Sequence, residues 1–170
     1  MDEEGKRLME QLTRVSKYVI FQVPTAAEIL SQPEWNVWAE DSPSWHLEED
    51  VLSPTGTLEL YLSSFVKDTD GVNQQELRML AKRSVSMLGQ RHALALLRVN
   101  HRIPKSWRNF RIQFPATVWV LSTVRMRLSM IPEIYYLQDR WNLGWRGDYN
   151  DRFYNDLRGQ SRLAQIRSCS

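Results

Sequence analysis

The chain has 170 residues, 42% hydrophobic and 25% charged, with a formal net charge of +2, which supports one domain with a core and flexible arms and excludes two large domains. The single cysteine, Cys169, can build neither a disulfide framework nor a zinc site and points to a reducing, intracellular compartment. The longest uncharged stretch, Ile112 to Val124, falls short of the ~20 apolar residues of a membrane span; the acidic start Met-Asp-Glu-Glu-Gly is unlike a secretory signal, and Asp2 excludes N-myristoylation.

Residues 2–19 read as an amphipathic helix, with Asp2, Glu3 and Glu4 at the favourable end of its dipole and Leu8, Leu12, Val15 and Val19 on one face. A Pro-punctuated acidic stretch from Pro24 to Pro54 follows and reads as an extended or disordered arm carrying Trp35, Trp38 and Trp45. Its Ser42-Pro43 and Ser53-Pro54 pairs are candidate phosphorylation points. From about Gly56, Leu58, Leu60 and Leu62 alternate with polar residues in the period of a strand. Asn73 and Glu76 form a capping-box pair opening a helix that Gly89 ends or bends.

Ala93–Leu97 is ambiguous between helix and buried strand, with helix favoured. Phe110–Phe114 and Val124–Leu128 alternate as strands with arginine outward, and Thr117–Leu121 is an apolar run suited to a strand covered on both sides. Residues 139–149 look irregular, and residues 150–167 suggest a terminal helix. The expected fold class is α+β: a single small mixed domain with an N-terminal helix and a flexible acidic arm. Its divisions are an N-terminal amphipathic helix over 1–23, an acidic Trp/Pro arm over 24–55, and an α+β core domain with a basic surface over 56–170.

Signatures of catalysis are not found: there is no phosphate-binding glycine loop, no G-x-S-x-G, no H-E-x-x-H and no Cys/His ligand cluster. A non-enzymatic protein without metal or cofactor is expected. Charge is the stronger signal. Residues 1–76 hold 15 acidic and 5 basic side chains, and residues 77–170 hold 17 basic and 5 acidic ones. The two halves either neutralise each other within one fold or leave a surface for a polyanion.

Candidates for anionic-surface contact, to membrane or nucleic acid, are Arg98, Arg102, Lys105, Arg108, Arg111, Arg125 and Arg127, with Trp107 and Phe110 as aromatic contacts. Trp141 and Trp145, flanked by Arg140 and Arg146, suit either a membrane interface or a lid over the core. Trp35, Trp38 and Trp45 cannot bury themselves locally, and are candidates for self-association or partner docking.

Residues 103–112, Ile-Pro-Lys-Ser-Trp-Arg-Asn-Phe-Arg-Ile, followed by Thr117-Val118-Trp119-Val120-Leu121, resemble a segment of rhabdovirus matrix proteins. The resemblance implies a non-enzymatic structural protein that self-associates and bridges nucleocapsid and anionic membrane during assembly and budding. It also implies peripheral membrane attachment, a place in the virion, and the host nucleus as a further compartment. Attachment then falls to the basic surface around Arg102–Arg111, and the acidic Trp arm becomes a self-association strap. Two alternatives are an RNA-binding regulator such as a viral silencing suppressor, and an adaptor recruiting a partner through the acidic arm.

Overall fold

The computed structural model describes residues 18–33, 45–62, 87–122, 127–147 and 161–166. Strands β1 (Val19–Val23), β2 (Trp45–Glu49) and β3 (Gly56–Leu62) precede the helix α1 (Gln90–Arg98). Two short 3-10 turns, Asn100–Arg102 and Lys105–Trp107, lead into β4 (Arg111–Gln113), β5 (Val118–Ser122), β6 (Arg127–Leu137), β7 (Arg140–Gly147) and β8 (Ser161–Ile166).

The strands join in one sheet of order β1-β3-β8-β4-β6-β5-β2, with β7 on the free edge of β6. All pairings are antiparallel except β4 with β8. Along a single edge, β6 meets β5 through residues 127–130 and β4 through residues 133–134. Pro132 stands where one partner hands over to the other. Its carbonyl accepts the Phe114 N–H at 3.0 Å, but it has no N–H to return, so a proline is tolerated in this inner strand because the ladder changes partner there.

Helix α1 packs across β1, β6 and β7. Beneath it Phe21, Leu60, Leu88, Leu96, Trp107, Ile112, Phe114 and Ile134 form the main core, while Val118, Val120, Ile131 and Leu163 form a second, smaller cluster. Full burial of each large side chain contributes about 1.5–3 kcal/mol.

The expected α+β class is overturned: 51% of the described residues are strand, with one α-helix and an eight-stranded mixed sheet. Val19, the last residue of the expected N-terminal helix, opens β1; residues 2–17 lie outside the described residues. Helical spacing claimed Val19, but Val19, Phe21 and Val23 alternate buried with exposed Ile20 and Gln22, which is a strand period. The arm expected to be flexible contributes β2, whose residues 45–49 pair with β5.

Residues 139–149, expected to be irregular, contain β7, where Trp141, Leu143 and Trp145 alternate with Asn142, Gly144 and Arg146. Gly144 is there for contact: a Cβ would lie 2.5 Å from Cε1 of Tyr135, whose ring covers it. Residues 161–166, expected in a terminal helix, form β8 between β3 and β4. Gly89 caps α1 rather than ending an earlier helix in the described residues; the proposed helix opened by Asn73 lies outside them. The expected strands at 58–62, 110–114 and 117–121 appear as β3, β4 and β5, and the helix favoured at 93–97 is the centre of α1.

The N-terminus of α1 organises a polar network that straps the acidic segment down. Thr117 Oγ1 accepts the Gln90 N–H at 2.8 Å and donates to Asp50 Oδ1 at 2.9 Å. Asp50 Oδ2 receives Arg91 Nε at 3.0 Å and Nη2 at 2.8 Å, and Arg91 also donates to the Glu28 carbonyl. Gln90, fully buried, donates to Ser31 and accepts the Trp119 indole N–H at 2.9 Å.

His92 completes the network. Its Nδ1 accepts the Gly89 N–H at 3.0 Å, so Nε2 carries the proton and donates to the Pro54 carbonyl at 2.8 Å. Burial pushes the pKa below its ordinary 6.5; the Pro54 and Gly89 bonds and the Asp50 charge oppose that shift, and Arg91 adds to it. The unfolded chain therefore binds the proton first as pH falls. Stability is full above pH 6.5 and declines below it. Urea midpoints measured across pH 8 to 5 should show this acid limb, and His92→Gln should flatten it. An equally steep limb in the variant would assign it to other groups.

Candidate anion-binding site at the hairpin end

After α1 the chain makes two tight turns before β4, held by Arg102 N–H to Val99 O (2.8 Å), Ile103 N–H to Asn100 O (3.1 Å), Trp107 N–H to Pro104 O (2.9 Å) and Phe110 N–H to Trp107 O (2.9 Å). Ile103 and Trp107, 6% and 1% exposed, anchor this loop in the core. The residues between and beside them, Arg102, Lys105 and Arg108, are exposed. A stretch alternating apolar anchors with cations thus becomes a fixed loop with its charges outward.

Facing it is the tip of the β6–β7 hairpin. Gln138 and Asp139 have φ of 52° and 59°, the paired left-handed conformation of a type I′ two-residue turn. Asn142 Nδ2 donates to the Leu137 and Arg140 carbonyls at 3.2 and 3.0 Å and holds the turn shut. Tyr136 and Trp141 are cross-strand partners whose rings meet edge to face at 5.5 Å, and the Arg108 guanidinium lies 4.2 Å from the Tyr136 ring centre.

Between loop and hairpin is an open pocket of about 180 Å³. Lys105, Arg108 and His101 line one wall; Arg140, Asp139, Tyr136 and Trp141 line the other. Among the described residues none of Arg102, Lys105, Arg108 and Arg140 pairs with a carboxylate. Leu137, 56% exposed, projects from the same hairpin tip.

The structure divides the basic residues expected from sequence. Lys105 and Arg108 meet in the pocket, with Arg102 on the adjoining turn. Arg98 bonds Glu28 at 2.6 Å, and Arg127 pairs with Glu48. Arg111 lies in β4 against Glu133, which is 2% exposed, and over the Tyr135 ring. Burial holds the nearby Arg146 below its ordinary pKa, with Glu133 opposing and Arg111 adding to that shift. Arg98, Arg111 and Arg127 are thus structural partners of acids, two of them from the supposed arm. Arg125 lies outside the described residues.

Trp107, expected as a ligand contact, is a core residue at 1% exposure; its burial removes it from any surface. Phe110 packs against the core under the Arg162 guanidinium, 4.5 Å away. Trp45 begins β2 opposite Leu121, half-buried, while Trp35 and Trp38 lie outside the described residues. The Trp141–Arg140 pair was legible as an interface candidate. Tyr136 and His101 carried no sequence signal for this site, because only the hairpin register and the 3-10 turns bring them to it.

No match was found. Neither family models, nor curated proteins, nor solved structures align with the chain. Among the described residues no group of three or more His, Cys, Asp or Glu is placed to hold a metal ion, and no helix is long and apolar enough to cross a membrane. Chemically, the pocket offers cations that pair with no carboxylate among the described residues, beside aromatic surface and the Asp139 carboxylate, an arrangement suited to holding an anion that also carries hydrogen-bond donors.

Proposed function

We propose that this protein is a non-enzymatic structural component that attaches peripherally to an anionic membrane surface through the hairpin-end patch. In the manner of rhabdovirus matrix proteins, it self-associates there and bridges the membrane to a nucleocapsid. The observation that carries the reading is the coincidence of exposed Leu137 with Lys105, Arg108 and Arg140 around the Tyr136–Trp141 pair, and of exposed Arg102 on the adjoining turn. Cations beside amphipathic rings and an exposed apolar tip match the layered polarity of a membrane interface.

Each cation near an anionic surface contributes about 1 kcal/mol, so four together favour the bound state by roughly 10³-fold, and salt weakens them. RNA binding is less well supported, since Trp107 is buried and Phe110 is covered by Arg162, which removes the two stacking residues expected from the sequence. The test is co-sedimentation with phosphatidylserine-containing and pure phosphatidylcholine vesicles at low and near-physiological salt. Binding should be confined to the anionic vesicles, fall with salt, and drop by about 10²-fold in an Arg102→Glu/Lys105→Glu variant. Equal binding to neutral vesicles, or none to either, overturns the proposal.

A further inference from the structure

We infer that the pocket between the 3-10 turns and the β6–β7 hairpin is a headgroup site for a phosphorylated polyol, presented on the membrane as a phosphorylated inositol lipid. This rests on the membrane reading of the same patch and goes beyond it, because diffuse attraction to a charged surface needs no concavity. At about 180 Å³ the pocket is smaller than the roughly 300–1,000 Å³ sites that enclose whole drug-sized ligands, so it suits one end of a larger molecule.

Its lining specifies that end. Lys105 and Arg108 approach from the loop and Arg140 from the hairpin, so cations from two separate elements converge on one volume. A phosphomonoester, carrying about −1.5 to −2 near neutral pH, gains more from such convergence than the single charge of a diester. Asp139 would repel a bare phosphate, but its carboxylate accepts hydroxyl donors, and Asn100 adds an amide to the lining from the 3-10 turn. Trp141 and Tyr136 supply aromatic surface for the carbon skeleton between phosphate and hydroxyls, with the Arg108 guanidinium already held over the Tyr136 ring. Cations, a carboxylate and aromatic surface around a small pocket select a ring bearing both phosphate and hydroxyl groups. Leu137 at 56% exposure stands at the tip of the same hairpin, where a lipid-borne headgroup would be met.

The experiment measures the full-length protein on phosphatidylcholine vesicles carrying either phosphatidylserine or a phosphatidylinositol monophosphate at matched surface charge. The inositol lipid should bind about tenfold more tightly, and soluble inositol bisphosphate should compete where orthophosphate does not. Arg140→Gln should erase the preference while lowering phosphatidylserine binding only about fivefold. Asp139→Asn, which keeps a residue tolerant of positive φ, should narrow the discrimination against orthophosphate. Equal binding at matched charge overturns this inference and leaves the membrane proposal standing. Calorimetric binding of inositol bisphosphate without vesicle binding overturns the lipid source, and with it the membrane proposal. Complete displacement from the inositol-lipid vesicles by RNA overturns both in favour of nucleic acid.

Discussion

Replacing Asp50 by alanine should lower the stability of the protein by about 3 kcal/mol, the lower end of the cost of removing one partner from a buried ion pair. The Arg91 and Asp50 side chains are 13% and 16% exposed, so solvent screens the pair only weakly. Removing the carboxylate strands two guanidinium donors and leaves the Thr117 hydroxyl without its acceptor in one step. Asp50→Asn keeps one acceptor and should cost less. A double variant, Asp50→Ala with Arg91→Met, should recover part of the loss, because the uncompensated charge is then gone. Urea unfolding of the four proteins measures this directly. A loss below about 1 kcal/mol for Asp50→Ala would place the pair among solvent-screened surface bridges.

Trp107→Ala should be comparably severe, at about 3–5 kcal/mol for truncating a buried tryptophan, or roughly 10 °C in melting temperature for a chain of this size. The indole is 1% exposed and its Nε1 finds no acceptor among the described residues. Phenylalanine therefore forfeits no hydrogen bond and should cost only about 1 kcal/mol. A surface contact would behave the other way: Trp107→Ala would leave the melting temperature unchanged and reduce ligand binding. Thermal unfolding and vesicle co-sedimentation of both variants separate the two roles, and a stable alanine variant would contradict the core assignment.

Local patterns were legible where one strand or helix face decides its own environment. Leu58, Leu60 and Leu62 alternate strongly enough to mark β3, and Thr117–Leu121 is apolar enough to mark a doubly covered strand. What misled was information held in distant partners. Val19 fits a helical stripe and a strand equally well, and only pairing with Leu60 decides between them. Gly144 looks like a breaker until the Tyr135 ring is seen over it. Residues 161–166 gain their strand character from β3 and β4, which lie far away along the chain.

The site was half legible for the same reason. The run of cations from Arg98 to Arg111 was plain, but composition treats all arginines alike. Glu28, Glu48 and Glu133 neutralise Arg98, Arg127 and Arg111 across long sequence separations, so the exposed patch is narrower than the run suggested. Its second wall, Tyr136 to Trp141, joins it only through the hairpin.

The position of β8 bears on how the molecule is made. In the described sheet it is the one strand that links the β1–β3 pair to the remainder, antiparallel to the former and parallel to the latter. Residues near position 20 therefore wait, during synthesis, for residue 166 to leave the ribosome before their sheet is continuous. The earlier segments spend that interval with open strand edges, which favours chaperone capture and slow, late completion over domain-by-domain folding on the nascent chain.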